Sequence, residues 1–284
     1  MRWFYKANID FVGKRKLFFG LSTIAVVGGL ILSLILGVQY GIDFQGGTEI
    51  AVKFEKDVAT QEIRTAITNA GFDGSEIKTY GVENSYLIRV KDSEEAPEEV
   101  RNALSAKFPE AGFEILKIDK IGPKIGSELR TDAFIAIILA VFAILIYIGF
   151  RFEFVFGLGA IAALVHDVIL TFSVVVLVGH SGLINLEIDL TILAAMLTVV
   201  GYSINDTVII FDRIRENRDV YKGRDFIWMI NQSINETLSR TINTLITTML
   251  VLLTIVFFGG PVLQGFAFTM LIGFITGTYS SIFI

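Results

Sequence analysis

The sequence predicts a polytopic α-helical membrane protein, with six transmembrane helices and one α+β domain inserted between the first two helices. First, 53% of the 284 residues are hydrophobic and the mean hydropathy is +0.63, which is too apolar for an ordinary soluble domain. Second, six apolar runs reach the length of about 20 residues that a helix needs to cross the hydrocarbon layer. Third, one long stretch, residues 37–130, is polar and has the alternating and amphipathic periodicities of a folded domain.

The N-terminal segment, residues 1–16, mixes basic and aromatic side chains, a composition typical of the membrane interface. We expect it to lie in the cytoplasm. Residues 17–36 form an uninterrupted apolar run that is too long for the core of a signal peptide, and Gly37-Val38-Gln39 offers no small-x-small cleavage site. This run therefore predicts an uncleaved first transmembrane helix.

Residues 37–130 are predicted to form an extracytoplasmic α+β domain with its connector. The patterns indicate six elements: strands at 48–54, 76–80, 86–90 and 113–118, and helices at 60–70, with Thr60 as N-cap, and at 97–108. The order β-α-β-β-α-β is that of a ferredoxin-like fold, an antiparallel sheet with both helices on one face.

The junction between the first helix and this domain is predicted to be a structural hinge. Adjacent glycines permit positive φ angles, and an aspartate beside them can accept hydrogen bonds from nearby amides. The hinge residues are Asp43, Gly46, Gly47 and Thr48.

Residues 131–284 are predicted to form a five-helix transmembrane domain, with a cytoplasmic loop at 212–240 that contains an interfacial helix near 226–230. The loop is rich in arginine and lysine, whereas residues 179–189 contain neither. Basic loops remain in the cytoplasm, so both termini are expected there, on the opposite side from residues 37–130. The last helix stops at Ile284 with no basic flank, which suggests either a chain trimmed at its C-terminus or one with a tail beyond this sequence. The predicted spans are 133–150, 154–178, 190–211, 241–258 and 262–284.

Composition excludes several kinds of site. The sequence has no cysteine, which excludes disulfides, thiolate nucleophiles and cysteine metal sites. A net charge of -5 without a basic domain argues against nucleic-acid binding. We expect no metal site and no cofactor.

Asp206 is the first candidate for function because it places a carboxylate inside an apolar span. A charge there costs about 2.5 to 3.5 kcal/mol, so it normally faces a partner or a wet cavity. We expect it to lie about 9 Å from the end of its helix, if that helix ends near Asp212. The neighbouring polar candidates are Tyr202, Ser203 and Asn205, with Thr198 on the same face.

Arg240 is the predicted partner of Asp206. It begins a polar stripe at helical spacing, with Thr244, Thr247 and Thr248, which predicts a face turned towards the bundle interior or a cavity. We hypothesise a switchable ion pair in which neutralisation of Asp206 releases Arg240. The alternative is a static pair that fixes the register of the two helices.

His166-Asp167 in the third span is a second candidate. Histidine titrates near neutral pH, so the pair is suited to a proton relay. The alternative is a structural imidazole that hydrogen-bonds to Asp167 or to a hydroxyl of another helix.

Five motifs in register resemble the SecF family of bacterial protein-translocase membrane subunits, within the SecD/SecF family and the RND superfamily. The likeness extends over nearly the whole chain. The motifs are Asp43-Phe44-Gln45-Gly46-Gly47-Thr48, His166-Asp167, Gly201-Tyr202-Ser203-Ile204-Asn205-Asp206-Thr207, Asp212-Arg213-Ile214 and Leu238-Ser239-Arg240-Thr241.

The resemblance implies a subunit, not an enzyme, of the bacterial cytoplasmic membrane. Such a subunit assembles with SecD into a twelve-helix unit beside the Sec channel, and a proton or sodium gradient drives late steps of preprotein export. Asp206 and Arg240 match the membrane carboxylate and arginine of the family, and a further acidic residue belongs to SecD. The phospholipid membrane is the remaining expected partner.

Three other functions remain open from the sequence. Half of an RND-type exporter of small molecules or lipids is consistent with the same fold, although about 90 residues leave little room for a substrate pocket. An intramembrane aspartyl protease built on Asp167 and Asp206 lacks a Gly-x-Gly-Asp element. A scaffold subunit would tolerate loss of either Asp206 or Arg240.

Overall fold

A computed structural model describes residues 7–81, 83–91, 95–152 and 154–284. The described chain divides into a helical unit, comprising the residues before 39 with 137–186 and 191–284, and a second unit, comprising 39–136 and 187–190. Residues 1–6 of the predicted interfacial segment lie outside the described residues. The elements in chain order are α1 (Arg15–Leu36), α2 (Ile42–Gln45), β1 (Gly47–Phe54), α3 (Thr60–Asn69), β2 (Glu76–Thr79), β3 (Ser85–Val90), α4 (Ala96–Lys107), β4 (Phe113–Ile121), α5 (Pro123–Arg151), α6 (Phe154–Ser181), α7 (Leu190–Val220), α8 (Phe226–Phe258) and α9 (Gly260–Phe283).

Six helices in the described part of the chain, α1 and α5 to α9, are long and apolar enough to cross a membrane. This confirms the predicted fold class. Helix α5 begins at Pro123, ten residues before the predicted start of its span. Proline suits that position because its missing amide would have no partner in the first turn of a helix.

The predicted cytoplasmic loop 212–240 is wrong, because α7 continues to Val220 and α8 begins at Phe226. The polar ends of the two helices bind each other. Arg213 Nε donates to Glu236 Oε2 over 2.6 Å, and Asn217 Nδ2 donates to Ser233 Oγ over 2.9 Å. These bonds stabilise the helical conformation of two segments that hydropathy alone would assign to a loop.

The second unit contains a four-stranded antiparallel sheet with the order β2-β3-β1-β4. Ile50 and Ile88 on one face pack against Ile63 of α3 and Val100 of α4, and all four side chains are completely buried. This is the predicted ferredoxin-like arrangement. Thr60 is not the N-cap of α3, since Ala59 occupies that position.

The predicted hinge residues lie beside residues 187–190, which belong to the same unit. Asp43 Oδ2 accepts a 2.9 Å hydrogen bond from the amide of Leu190, the first residue of α7. The Ile188 amide donates to the Gln39 carbonyl over 2.8 Å, and the Gly41 amide donates to the Ile188 carbonyl over 3.0 Å. The start of α7 is therefore bound directly to the segment that leads into β1.

An ion-pair cluster fixes the same residues on the face of the sheet opposite α3 and α4. Glu187, which is 7% exposed, pairs with Arg89 and, over 2.6 Å, with Lys78. Arg89 also pairs with Glu49 over 2.8 Å. Burial raises the pKa of the Glu49 carboxyl, although its bond with Arg89 opposes the shift. The cluster gives residues 187–190 a second attachment to the sheet.

Replacing Gly47 with alanine is expected to destabilise this unit by about 1 to 3 kcal/mol. Gly47 has φ 127°, and an added Cβ would lie 2.9 Å from the Val90 carbonyl oxygen. The control is Gly74→Ala, because Gly74 has φ 78° and nothing within 4 Å. Limited proteolysis of the full chain in increasing urea measures the effect. Equal midpoints for the two variants would contradict the packing argument.

Candidate functional site

Asp206 lies near the middle of α7, not near its end. Fourteen residues separate it from Val220, about 21 Å along the helix at about 1.5 Å per residue. The estimate of about 9 Å was wrong because α7 does not end near Asp212. The side chain is only 1% exposed, so the carboxylate is buried within the helical unit.

The carboxylate of Asp206 binds a neutral group. Thr278 Oγ1, from α9, donates to Asp206 Oδ2 over 3.2 Å. Arg240 is near enough for an electrostatic interaction, but among the described residues no ion pair within 4.0 Å joins it to Asp206. The predicted direct pair is therefore not formed in this conformation.

The polar stripe on α8 does not face the interior of this chain. Arg240, Thr244 and Thr247 are exposed on the outside of the described chain. Thr244 Oγ1 donates to the Arg240 carbonyl and Thr247 Oγ1 to the Asn243 carbonyl, each over 3.0 Å. Because these hydroxyls are satisfied by their own helix, they do not require a polar interior.

The other candidates on α7 point in different directions. Tyr202 stacks on Phe274 of α9, with ring centroids 3.8 Å apart. Asn205 is exposed. Ser203 is buried, and its hydroxyl donates to Asp167 Oδ2. The structure thus brings Ser203 to the second carboxylate and turns Asn205 away from Asp206.

Asp167 is completely buried and links three helices. Its Oδ1 lies 2.8 Å from Nδ1 of His166, its neighbour in α6. Its Oδ2 accepts hydrogen bonds from Ser203 on α7 and, over 2.7 Å, from Ser280 on α9. Loss of this carboxylate would remove the polar contacts that join α6, α7 and α9 at this level.

The remaining ring nitrogen of His166, Nε2, is buried and has no hydrogen-bond partner among the described residues. The side chain lines a cavity of about 220 Å³, which Ser22 of α1 also lines. One ring nitrogen of His166 contacts the Asp167 carboxylate, an arrangement that allows a proton to pass between the two side chains.

Sequence reasoning missed the hydroxyl groups of α9. Thr278 and Ser280 supply hydrogen bonds to Asp206 and Asp167, respectively. The available signal was a polar cluster within the last apolar span, since such residues normally face the interior. Gly277 permits this approach: a Cβ there would lie 3.1 Å from the Cβ of Ser203.

The carboxylate of Asp167 accepts hydrogen bonds from two hydroxyl groups, and the carboxylate of Asp206 accepts one. Among the described residues, no group of three or more His, Cys, Asp or Glu side chains is placed to hold a metal ion. A single carboxylate with hydroxyl ligands suits a proton or a monovalent cation.

Comparison with known proteins gives consistent matches over the whole chain. Residues 100–284 match the family described as "Protein export membrane protein SecD/SecF, C-terminal", and residues 31–58 match the SecD/SecF GG motif. The second range contains the predicted hinge.

Two relatives named "Protein translocase subunit SecF" are each 42% identical to the chain. The protein from Calditerrivibrio nitroreducens aligns with 97% of this chain and 91% of its own length. The protein from Rhodothermus marinus aligns with 100% of this chain and 93% of its own length.

Two solved structures resemble this one. SecDF of Thermus thermophilus, described as a translocon-associated membrane protein, has a TM-score of 0.89 and 34% identity, and the match covers 99% of this chain. SecDF in a super-membrane-facing form has a TM-score of 0.72 at the same identity and coverage. The chain spans 38% of the length of each SecDF chain.

Proposed function

This chain belongs to the SecD/SecF family of protein export membrane proteins, and we propose that it couples an ion gradient to late steps of preprotein translocation. It is a multi-pass membrane protein and an auxiliary subunit of the Sec protein translocase. Half of a small-molecule or lipid exporter is not favoured, because relatives that match almost end to end are named as translocase subunits. In this role the chain performs no enzymatic step.

The observation that carries the proposal is the environment of Asp206. Its carboxylate is 1% exposed and accepts a hydrogen bond from the neutral hydroxyl of Thr278. A buried charge without a close counter-ion is costly, and binding of a proton or Na⁺ removes that cost. Reversible neutralisation is therefore the chemistry that the site supports best.

The outward faces of α7 and α8 support SecD as the partner. Arg240 is exposed at the start of the apolar part of α8, where a partner that covers it would remove its contact with lipid. The exposed stripe of α7 has small or polar side chains that permit close approach of another helix. Its members are Ala194, Thr198, Gly201 and Asn205. We propose that a helix of SecD lies there and presents a carboxylate to Arg240.

The proposed cycle alternates Arg240 between two carboxylates. When an ion neutralises Asp206, Arg240 turns fully to the SecD carboxylate; when the ion leaves, Arg240 is drawn back towards Asp206. One charge crossing 100 mV supplies about 2.3 kcal/mol, which biases two states by a factor of about 50. Helix α7 begins at Leu190, whose amide donates a hydrogen bond to Asp43 of the predicted hinge.

His166 and Asp167 have separate roles in this proposal. Asp167 holds α6, α7 and α9 together through its hydroxyl contacts. His166 relays protons between Asp167 and the neighbouring cavity.

We place the chain in the bacterial cytoplasmic membrane, with both termini and the basic residues of 213–224 on the cytoplasmic side. The further partners are the Sec channel and the translocating preprotein. The proposed coupling ion is H⁺ or Na⁺, and the proposal includes no cofactor.

The test is preprotein translocation into vesicles that contain the full chain with SecD. A protonophore and a sodium ionophore are added in separate assays. One of the two is expected to remove the stimulation that this chain gives, and the one that does so identifies the coupling ion. Stimulation that survives both treatments would refute ion coupling.

A crosslinking experiment tests the proposed SecD surface. The chain has no cysteine, so a single Asn205→Cys variant can be labelled uniquely with benzophenone maleimide. Illumination is expected to give a product with SecD. Ile138→Cys, on α5, is the control because Ile138 is also exposed in an apolar span. A SecD product from the control, or none from the Asn205 site, would contradict the assignment.

A further inference from the structure

An apolar cluster lies next to Asp206 in the helical unit, on the side towards the end of α7. Ile210 and Ile214 lie one and two turns beyond Asp206 on the same face of that helix. Ile282 of α9 lies one turn beyond Thr278, whose hydroxyl donates to Asp206. Both helices that build the carboxylate site therefore place an isoleucine immediately beyond it. The buried members of this cluster, which we call the seal, are Phe11, Ile210, Ile214, Met229, Ile234 and Leu238.

Phe11 differs from the other five members of the seal because it precedes α1 and does not lie on a membrane-spanning helix. Its side chain is nevertheless only 7% exposed. The ring packs edge-on against Phe283 at the end of α9, with the ring centroids 5.6 Å apart. A ring from outside the helices therefore completes the apolar packing between the ends of α7, α8 and α9.

Two asparagines of α8 hold the main chain around Phe11. The Ile9 amide donates to Asn235 Oδ1 over 2.9 Å, and the Phe11 amide donates to Asn231 Oδ1 over 2.8 Å. The side-chain amides of Asn231 and Asn235 both donate to the Ile9 carbonyl, over 3.0 and 2.9 Å. Asparagine is a poor helix former, so a pair of them one turn apart within α8 indicates a role for these contacts. The two side chains fix the point at which Phe11 enters the bundle.

We propose that Phe11 is the plug of this hydrophobic seal, with Asn231 and Asn235 as its positioning residues, and that the seal closes Asp206 off from the membrane side on which α7 ends. An apolar constriction excludes water and ions because it offers no polar groups to replace their hydration. The plug is held by hydrogen bonds to a short segment, so its departure would not require a membrane span to unwind.

The consequence for the ion rests on the proposed function. An ion bound at Asp206 would exchange with the side on which α7 ends only when Phe11 leaves the seal. The existence of the seal does not depend on ion coupling.

Cysteine accessibility in the full chain, purified in detergent, tests the seal. The chain has no cysteine, so an Ile210→Cys variant is modified at one site by a small water-soluble methanethiosulfonate, and mass spectrometry measures the rate. Ile210 is 4% exposed, so slow modification is expected. Adding Phe11→Ala is expected to raise the rate about tenfold or more, because loss of the ring leaves a gap at the end of the helices. Adding Asn231→Ala/Asn235→Ala should have the same effect although Phe11 remains.

Matched variants separate the seal from a general loosening of the fold. Phe11→Leu keeps an apolar side chain and should retain most of the protection. Phe19→Ala removes a ring that is 59% exposed on α1 and should leave the rate unchanged. Val175→Cys, at a position of α6 that is 0% exposed, reports loosening away from the seal, and its rate should not change in any variant.

An unchanged rate at Ile210→Cys after Phe11→Ala, or an equal rise at Val175→Cys, would overturn the seal. The labelling requires no ion gradient and no translocation. Failure of the seal would therefore be distinguishable from failure of the proposed ion coupling.

Discussion

Replacing Asp206 with asparagine is expected to abolish the gradient-dependent part of preprotein translocation while the protein still inserts and assembles with SecD. The amide has nearly the same shape, and its oxygen can still accept the hydrogen bond from Thr278. It cannot bind a proton or balance a cation, so the site stays permanently neutral. We expect the gradient-dependent increment to fall at least tenfold in the vesicle assay, with the gradient-independent part unchanged.

Two further variants test whether the loss is specific to the groups of the proposed ion cycle. Arg240→Met should give the same loss, because the proposed cycle requires the guanidinium to move between two carboxylates. Asn205→Ala changes an exposed neighbour of Asp206 on the same helix and should keep at least half of the stimulation. Full gradient dependence in the Asp206 variant would support a scaffold role instead.

Replacing Gly273 with alanine is expected to destabilise the packing of α9 against α7 in the helical unit. An added Cβ would lie 2.1 Å from Cγ2 of Val199 in α7, and Val199 is only 1% exposed. A buried branched side chain cannot move aside, so α9 must shift from α7, at a cost of about 1 to 3 kcal/mol. The shift would also weaken the bond from Thr278 to Asp206. We expect a lower thermal unfolding midpoint together with reduced gradient stimulation.

A compensating variant distinguishes this packing effect from a general effect of mutation. Gly273→Ala/Val199→Ala removes the clashing methyl groups and should recover much of the unfolding midpoint. Gly159→Ala adds a methyl group to α6 where nothing lies within 4 Å, so it should leave the midpoint unchanged. A failure of the double variant to recover would show that Val199 is not the group that excludes a side chain.

The architecture could be predicted from the sequence because its signals are local. Hydropathy runs define the six helices, and alternating periodicity with turn residues defines the antiparallel sheet. The extent of α7 and α8 was missed because Arg213, Glu236 and Asn217 look like loop residues until the opposite helix supplies their partners.

The identity of the buried carboxylates could also be predicted, since charge within an apolar run is visible in the sequence. Their partners could not. Helical spacing shows that Arg240 and the threonines of α8 share a face, but not whether that face meets this chain or another one. The threonine hydroxyls donate hydrogen bonds to carbonyl groups of their own helix, so these side chains do not need polar partners in the interior of the chain. The partners that Asp206 and Asp167 do have include Thr278 and Ser280, which lie on a helix whose sequence shows no charged residue to mark it as their neighbour.

The central claim is that Asp206 carries the coupling ion. Liposomes containing the full chain with SecD and a pH-sensitive or sodium-sensitive dye measure this directly when a membrane potential is applied. We predict ion entry with the wild type and with Asn205→Ala, and entry at the level of empty liposomes with Asp206→Asn. Ion entry through the Asp206→Asn complex at the wild-type rate would contradict the claim.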